Sequence, residues 1–144
     1  MLSAVGRTRD GSARCTAEVK TAGAPFAIRL SAWRDTVSTG QGDVGQVMFE
    51  IVDSAGTVVP EATNLVRVSV TGGKLLVLDN SDLRVHSARE PGSIEAYNGR
   101  GLVIVRAIDV GSIEVTAAAE GLRPATATLR AVRGASPPSI PASR

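Results

Sequence analysis

The sequence predicts an all-β chain that folds as an immunoglobulin-like antiparallel β-sandwich of about seven strands. Apolar and polar residues alternate with a period of two, and no window shows the 3.6-residue period of a helix. Gly, Pro, Asn and Asp residues interrupt the alternation at regular spacing, which is typical of turns between short strands. The chain has 144 residues, of which 43% are hydrophobic, enough for one domain with a continuous core.

The strands follow from the alternation. In the first, Phe26, Ile28, Leu30 and Ala32 are expected on the core face, with Pro25 at its start. Because only 3% of the residues are aromatic, the core is expected to consist of aliphatic side chains. The predicted strands are 26–32, 46–52, 66–71, 74–78, 101–107, 112–117 and 125–131.

Two of these strands are apolar at nearly every position. Residues 74–78 are expected to be covered on both sides, as in a fully buried strand, and residues 101–107 are apolar on both faces. The other strands are expected to have one face in the core and one face in water.

The two ends of the chain differ from the middle. Residues 1–23 are interpreted as the end of a preceding β-domain or a linker strand, with a hairpin turn at 9–11 and a strand near 15–20. Residues 24–133 form the predicted sandwich. Residues 134–144, rich in Pro and Ser, are predicted to be a disordered tail.

Composition argues against several classes of protein. Sixteen Lys and Arg against fourteen Asp and Glu give a net charge of +2, which does not favour nucleic-acid binding. A single cysteine, Cys15, cannot form an internal disulfide. No apolar run approaches the roughly 20 residues that span a bilayer, and the first residues lack the features of a signal peptide, so no membrane contact is expected.

No arrangement of residues predicts catalysis, a cofactor or a metal. Hydrolysis by a nucleophile and an acid of the carboxylate type needs two carboxylates about 5 to 5.5 Å apart, whereas Glu50 and Glu114 are expected to point outward into solvent on separate strands. His86 is the only histidine and has no nearby Cys or His with which to bind zinc. We therefore expect no catalytic residue, cofactor-binding residue or metal ligand in this chain.

Four residues are singled out as candidate ligand or domain contacts. Trp33 follows a strand whose alternation directs it away from the core, where an exposed indole can stack on a sugar or on a neighbouring domain. Asp79 and Asp82 lie in a polar stretch and offer oxygen ligands, but without the register of a calcium loop. Tyr97 is expected to cover an edge of the sandwich.

One segment resembles a known family. Tyr97, Asn98 and Gly99 form a turn signal that leads into the apolar strand at 101–106, and this resembles a segment near the C-terminus of bacterial family 2 glycoside hydrolases of the β-galactosidase type. The similarity continues, in order and spacing, from about residue 4 to 132. Its further matching segments are 19–23, 40–43, 50–56, 59–60, 64–66 and 120–122.

The resemblance implies an Ig-like accessory module without catalytic residues. The barrel that carries the chemistry in that family typically needs about 250 residues, so the implied role is architectural, with catalytic and neighbouring β-domains of a parent enzyme as partners. The alternative is a carbohydrate-binding or invasin-like surface module that uses Trp33 and the loop at 79–91. Analogy with the family implies an extracellular or periplasmic location, which the sequence itself leaves unknown.

Overall fold

The computed structural model describes residues 2–7, 13–19, 21–40, 42–82 and 91–134. These ranges contain eleven strands and no helix that is long and apolar enough to cross a membrane. The strands are β1 (Leu2–Arg7), β2 (Ala13–Val19), β3 (Ala27–Ala32), β4 (Thr36–Ser38), β5 (Gly45–Val52), β6 (Leu65–Thr71), β7 (Gly73–Asp79), β8 (Ser93–Glu95), β9 (Arg100–Ala107), β10 (Gly111–Ala118) and β11 (Ala125–Val132).

Two sheets form the sandwich. One has five strands in the order β4-β11-β10-β6-β8, and the other has four in the order β3-β5-β9-β7. Every pair is antiparallel except β4 with β11. This arrangement confirms the predicted all-β, Ig-like fold, and all seven predicted strands are present.

Three strands, β1, β4 and β8, were not predicted from the periodicity of the sequence. β4 and β8 have three residues each, too few to show an alternation. β2 covers most of the strand predicted near 15–20, and it pairs with β1 in a separate two-stranded sheet. The predicted turn at 9–11, His86 and the tail at 135–144 lie outside the described residues, and the proposed domain boundaries remain predictions.

The core lies between the two sheets and is aliphatic, as expected from the composition. Phe49 is the one aromatic ring among the buried core residues that the structure describes. It lies opposite Gly101 in the β5–β9 ladder, and a Cβ on Gly101 would come within 2.2 Å of the ring. Glycine at position 101 therefore makes room for the largest side chain in the core.

Two expectations for the first strand are wrong. Phe26 and Ala32 are exposed, whereas Ile28 is buried and Leu30 half-buried. Phe26 precedes the first residue of β3, and its ring lies 5.8 Å from the guanidinium carbon of Arg123. Ala32 is the last residue of β3 and is still paired with Val47. The alternating pattern therefore overestimates the buried length at both ends of the strand.

The strand predicted to be covered on both sides is instead an edge strand. Among the strands that the structure describes, β7 pairs with β9 alone, and a bulge interrupts its register between Leu75 and Val77. Leu75 and Leu78 are half-buried toward the core, whereas Val77 is exposed. Its continuous apolar run therefore produces one core face and one exposed apolar face.

Candidate functional site

The outer face of the four-stranded sheet carries an apolar band, defined here as Trp33, Met48, Leu102, Ile104 and Val77. Strand register brings these residues together. Met48 lies opposite Leu102, Ile104 lies opposite both Gln46 and Val77, and the Trp33 amide donates to the Gln46 carbonyl at 2.9 Å. Because paired residues of adjacent strands lie on the same face, the apolar band crosses all four strands.

The apolar band is accessible to solvent. Trp33 is 86% exposed, Met48 42% and Val77 46%, while Leu102 and Ile104 are partly covered by their neighbours. A shallow hollow of about 270 Å³ lies beside the indole. Its lining residues are Ser31, Ala32, Trp33, Gln46, Met48 and Leu102.

The outer face of the five-stranded sheet is polar. Glu114 lies opposite Thr71 and Thr128, and Thr116 lies opposite Thr126, to which its hydroxyl is hydrogen-bonded at 3.0 Å. The residues between them in sequence, such as Ile113 and Val115, are fully buried. The two sheets thus share one core but expose different chemistry.

An ion-pair cluster lies at one end of the apolar band. Glu50 occupies the middle strand, and its carboxylate accepts two hydrogen bonds from Arg29, at 2.7 and 3.0 Å, and one from the Nε of Arg100 at 3.0 Å. Both arginines lie directly opposite Glu50 in the ladder. Arg29 also donates to the Gly56 carbonyl at 3.0 Å.

Glu50 is not the solvated carboxylate expected from the alternation. It does point to the outer face, but the two arginines cover it and its side chain is only 10% exposed. Burial alone would raise the pKa of Glu50, yet the hydrogen bonds and charges of Arg29 and Arg100 outweigh it, so the pKa is lowered. A general acid in a glycosidase needs the opposite shift.

Cationic residues lie at the other end of the apolar band. Lys74 and Arg106 are paired across β7 and β9, both exposed, and neither forms an ion pair within the described residues. Among the described residues of these four strands, Glu50 and Asp79 are the acids on the same face. Counting Arg29, Arg100, Lys74 and Arg106 against these two carboxylates gives four minus two, a net charge of +2 around the apolar band.

A second buried carboxylate joins two segments. Asp53 follows β5 and accepts hydrogen bonds from the amides of Gly23 at 2.8 Å, Thr57 at 2.8 Å and Ala55 at 2.9 Å. These amides, that of Gly23 first, lower the pKa of Asp53. The turn at 53–56 was predicted from the sequence, but its connection to Gly23, thirty residues earlier, was not.

The aspartates singled out in the sequence organise a turn. Asp79 accepts a hydrogen bond from the Ser81 amide at 2.9 Å, and the Asn80 side chain accepts from the Asp82 amide at 2.9 Å while donating to the Glu95 carbonyl at 2.9 Å. In the described part of the chain, no three His, Cys, Asp or Glu side chains approach closely enough to hold a metal ion.

Tyr97 begins a two-residue hairpin. Its amide and carbonyl both bond with those of Arg100 at 3.0 Å, and Asn98 and Gly99 have φ values of 50° and 70°, as a type I′ turn requires. A Cβ on Gly99 would lie 2.2 Å from the Val59 carbonyl oxygen. The Asn-Gly signal is therefore a structural requirement of this turn.

The four candidate residues do not converge on one site. Trp33 follows one edge strand of its sheet and Asp79 ends the other, three strand spacings or about 14 Å apart. Tyr97 precedes β9, at the end where Glu50 lies, whereas Trp33 lies at the level of Ile104. Sequence reasoning identified Trp33 but missed the apolar band around it, because the band depends on strand register.

Comparison with known proteins identifies the lineage. The β-galactosidase BoGH2A of Bacteroides ovatus is 32% identical over 116 residues, covering 79% of this chain and 14% of that protein. A solved family 2 glycosyl hydrolase from Bacteroides cellulosilyticus is 27% identical with a TM-score of 0.82, covering 91% of this chain and 17% of that one. A β-glycosidase from Bacteroides vulgatus shares the fold at 21% identity, with a TM-score of 0.81, covering 89% of this chain and 17% of that one.

These matches involve only a small part of each relative, since the chain spans less than one fifth of their length. The family model that matches covers residues 28–128 and describes one domain rather than a whole enzyme. That range includes every strand from β4 to β10, nearly all of β3 and the first half of β11. The chain therefore belongs to the glycoside hydrolase family 2 C-terminal domain 5 family.

Proposed function

We propose that this chain is a non-catalytic accessory domain of a longer glycosidase of the β-galactosidase type, and that it acts by packing against neighbouring domains. The observation that carries this proposal is the size relation. The chain matches a C-terminal domain model over 28–128 and corresponds to only 14% of a β-galactosidase relative.

The state of the buried carboxylates supports a structural role. Both oxygens of Glu50 are occupied by guanidinium groups, and Asp53 is occupied by three backbone amides. A catalytic pair needs one carboxyl with a raised pKa and one free to act as nucleophile or base. Glu50 and Asp53 both have lowered pKa values and complete sets of hydrogen-bond partners.

The catalytic part of the proposal is tested with the purified chain. We expect no hydrolysis of a nitrophenyl β-galactoside, with the Glu50→Gln variant as a matched background. Turnover by the chain that disappears in Glu50→Gln, or in another single carboxylate variant, would contradict the proposal.

The architectural part is tested in the longer glycosidase that carries this domain. That enzyme is truncated at the position that corresponds to residue 24 of this chain. The truncation is expected to lower the thermal midpoint of the enzyme, and the activity that remains is expected to depend on the enzyme's own catalytic carboxylates. A shortened enzyme with an unchanged midpoint and unchanged activity would show that the domain has no architectural role.

A further inference from the structure

We propose that the apolar band is the surface through which this domain contacts its parent enzyme, and that its partner is a protein surface with an apolar centre and an acidic rim. This inference rests on the proposed function and adds to it the face that is used and the chemistry of the partner. Three observations support it: the contrast between the two outer faces, the width of the apolar band and the charge around it.

The contrast between the two outer faces shows that exposed apolar residues are not a general property of the surface of this chain. On the five-stranded sheet, the outward positions in the middle of β6, β10 and β11 are Thr, Ser, Glu and Arg, and the apolar residues Leu65, Ala118 and Val132 lie only at the strand ends. On the four-stranded sheet, five of the outward positions of its central part are apolar, namely Trp33, Met48, Leu102, Ile104 and Val77, and the two polar ones among them are the uncharged Ser31 and Gln46. Contiguous exposed apolar surface rimmed by polar groups marks contact sites in soluble proteins.

The width of the apolar band favours a protein partner over a sugar. The band crosses four strands, about 14 Å from edge to edge, but contains a single aromatic ring, that of Trp33. Sugars stack on aromatic faces, and the branched side chains of Leu102, Ile104 and Val77 offer none. An extended aliphatic surface with one exposed tryptophan is the composition of a protein contact, in which a tryptophan often contributes most of the binding energy.

The charge around the apolar band argues against a second copy of this chain. Arg29 and Arg100 surround Glu50 at one end, and Lys74 and Arg106 lie at the other. In a two-fold symmetric pairing of this face with itself in which the strands of the two copies run roughly parallel or antiparallel, cationic ends would meet cationic ends. A partner with acidic residues around an apolar centre matches both ends.

The length of the relatives indicates where that partner lies. This chain corresponds to 17% of the solved Bacteroides cellulosilyticus hydrolase, so 83% of that protein lies outside the match. A covalently attached domain is present at an effective concentration in the millimolar range. A modest apolar contact is then sufficient, because little free energy is needed to keep a tethered partner bound.

Hydroxyl-radical footprinting read by mass spectrometry tests the assignment. Trp33 and Met48 are both readily oxidised, and their oxidation in the isolated chain is compared with that in the longer glycosidase that carries it. We expect oxidation of both residues to fall several-fold in the longer protein. Ile108 and Val110, which are 63% and 60% exposed in the turn after β9, are expected to react equally in both.

Matched substitutions supply the energetic test. Met48→Glu with Val77→Glu places two carboxylates in the apolar band, whereas Ile108→Glu with Val110→Glu makes the same change outside it. In the isolated chain both pairs are expected to leave the thermal midpoint within experimental error, because all four residues are exposed. In the longer protein only the first pair is expected to lower it, by several degrees.

The outcomes separate this proposal from the one on which it rests. If removal of the domain destabilises the longer enzyme while Trp33 and Met48 stay fully reactive, the architectural role stands and the assignment of this face is wrong. Protection that grows with concentration in the isolated chain would identify self-association, and a glycan that protects Trp33 would identify a sugar site. Either result overturns the inference, as does equal destabilisation by both pairs of substitutions.

Discussion

The outer faces of the two sheets expose different types of residue, although both sheets pack on the same core. On β10 and β11 every outward position that faces the middle of the sheet is polar, and Thr116 and Thr126 are hydrogen-bonded to one another. On β5 and β9 the corresponding positions include Met48, Leu102 and Ile104. Strict alternation between apolar and polar residues therefore gives a polar outer face on β10 and β11, and its failure leaves exposed apolar residues on the outer face of β5 and β9.

The acidic residues of the two outer faces also differ in their surroundings. On the four-stranded sheet, Glu50 is covered by two arginines in the ladder, whereas Glu114 on the five-stranded sheet is exposed and lies between threonines. The same residue type in the same alternation pattern is thus an ion-pair centre on one face and a solvated group on the other.

The largest effect should come from the core that both sheets share. Phe49→Ala removes the one aromatic ring of the described core and is expected to lower the free energy of unfolding by about 3–5 kcal/mol. Met48→Ala, one residue earlier and on the outer face, is expected to cost less than about 0.5 kcal/mol. Urea denaturation of both variants measures the difference, and similar losses would show that the face assignment of β5 is incorrect.

A smaller effect should separate the two glutamates. Glu50→Ala leaves Arg29 and Arg100 without their shared partner and is expected to cost about 1–3 kcal/mol, because hydrogen bonds to charged groups contribute at this level. Glu114→Ala is the control on the opposite face, with an expected change within about 0.5 kcal/mol. If thermal unfolding shows the same loss of stability for both variants, the ion-pair cluster makes no contribution to the stability of the fold.

The same cluster should make stability depend on pH. Because the folded pKa of Glu50 lies below its usual value of 4.5, the stabilisation is fully present above that pH and is lost as the pH falls through the lowered folded pKa. Asp53 acts in the same direction below its usual 3.8. Thermal midpoints measured from neutral to acidic pH should decrease as the pH falls below about 4.5. The Glu50→Gln variant should show a smaller decrease, and an equal decrease in the variant would show that Glu50 does not cause the pH dependence.

The smallest effect concerns the isolated chain and the two exposed faces. A dye that binds apolar surface, such as anilinonaphthalene sulfonate, is expected to fluoresce with the native chain and to lose much of that signal in the Met48→Glu, Val77→Glu variant. Thr116→Glu with Thr128→Glu on the polar face should leave the signal unchanged. Equal signals from both variants would show that the apolar band does not differ from the other face in its accessibility to apolar ligands.

Much of the fold could be predicted because local alternation encodes it. Residues 112–117 and 125–131 have the faces expected from their period of two, and the Asn-Gly turn before β9 is present. The family also followed from the sequence, since turn and strand segments match in order and spacing. These features depend on residues close together in the chain, which a single sequence displays directly.

The surface could not be predicted because it depends on register between distant strands. Arg29 and Arg100 are separated from Glu50 by 21 and 50 positions, and no local pattern shows that they lie opposite it. The local sequence also does not show that β7 lies at a sheet edge, so its apolar run was interpreted as buried. Trp33 was recognised by itself, but its apolar neighbours come from three other strands.

The hydrogen bond from Gly23 to Asp53 has a mechanical consequence. β3 is an edge strand that is held by β5 and, at its start, by two backbone hydrogen bonds with Arg123, and a pull on the residues ahead of it would load these bonds one after another. Since Asp53 holds Gly23 against the turn that follows β5, tension applied before residue 23 passes instead to an interior strand. There the ladder bonds on both sides of β5 resist it together, in shear.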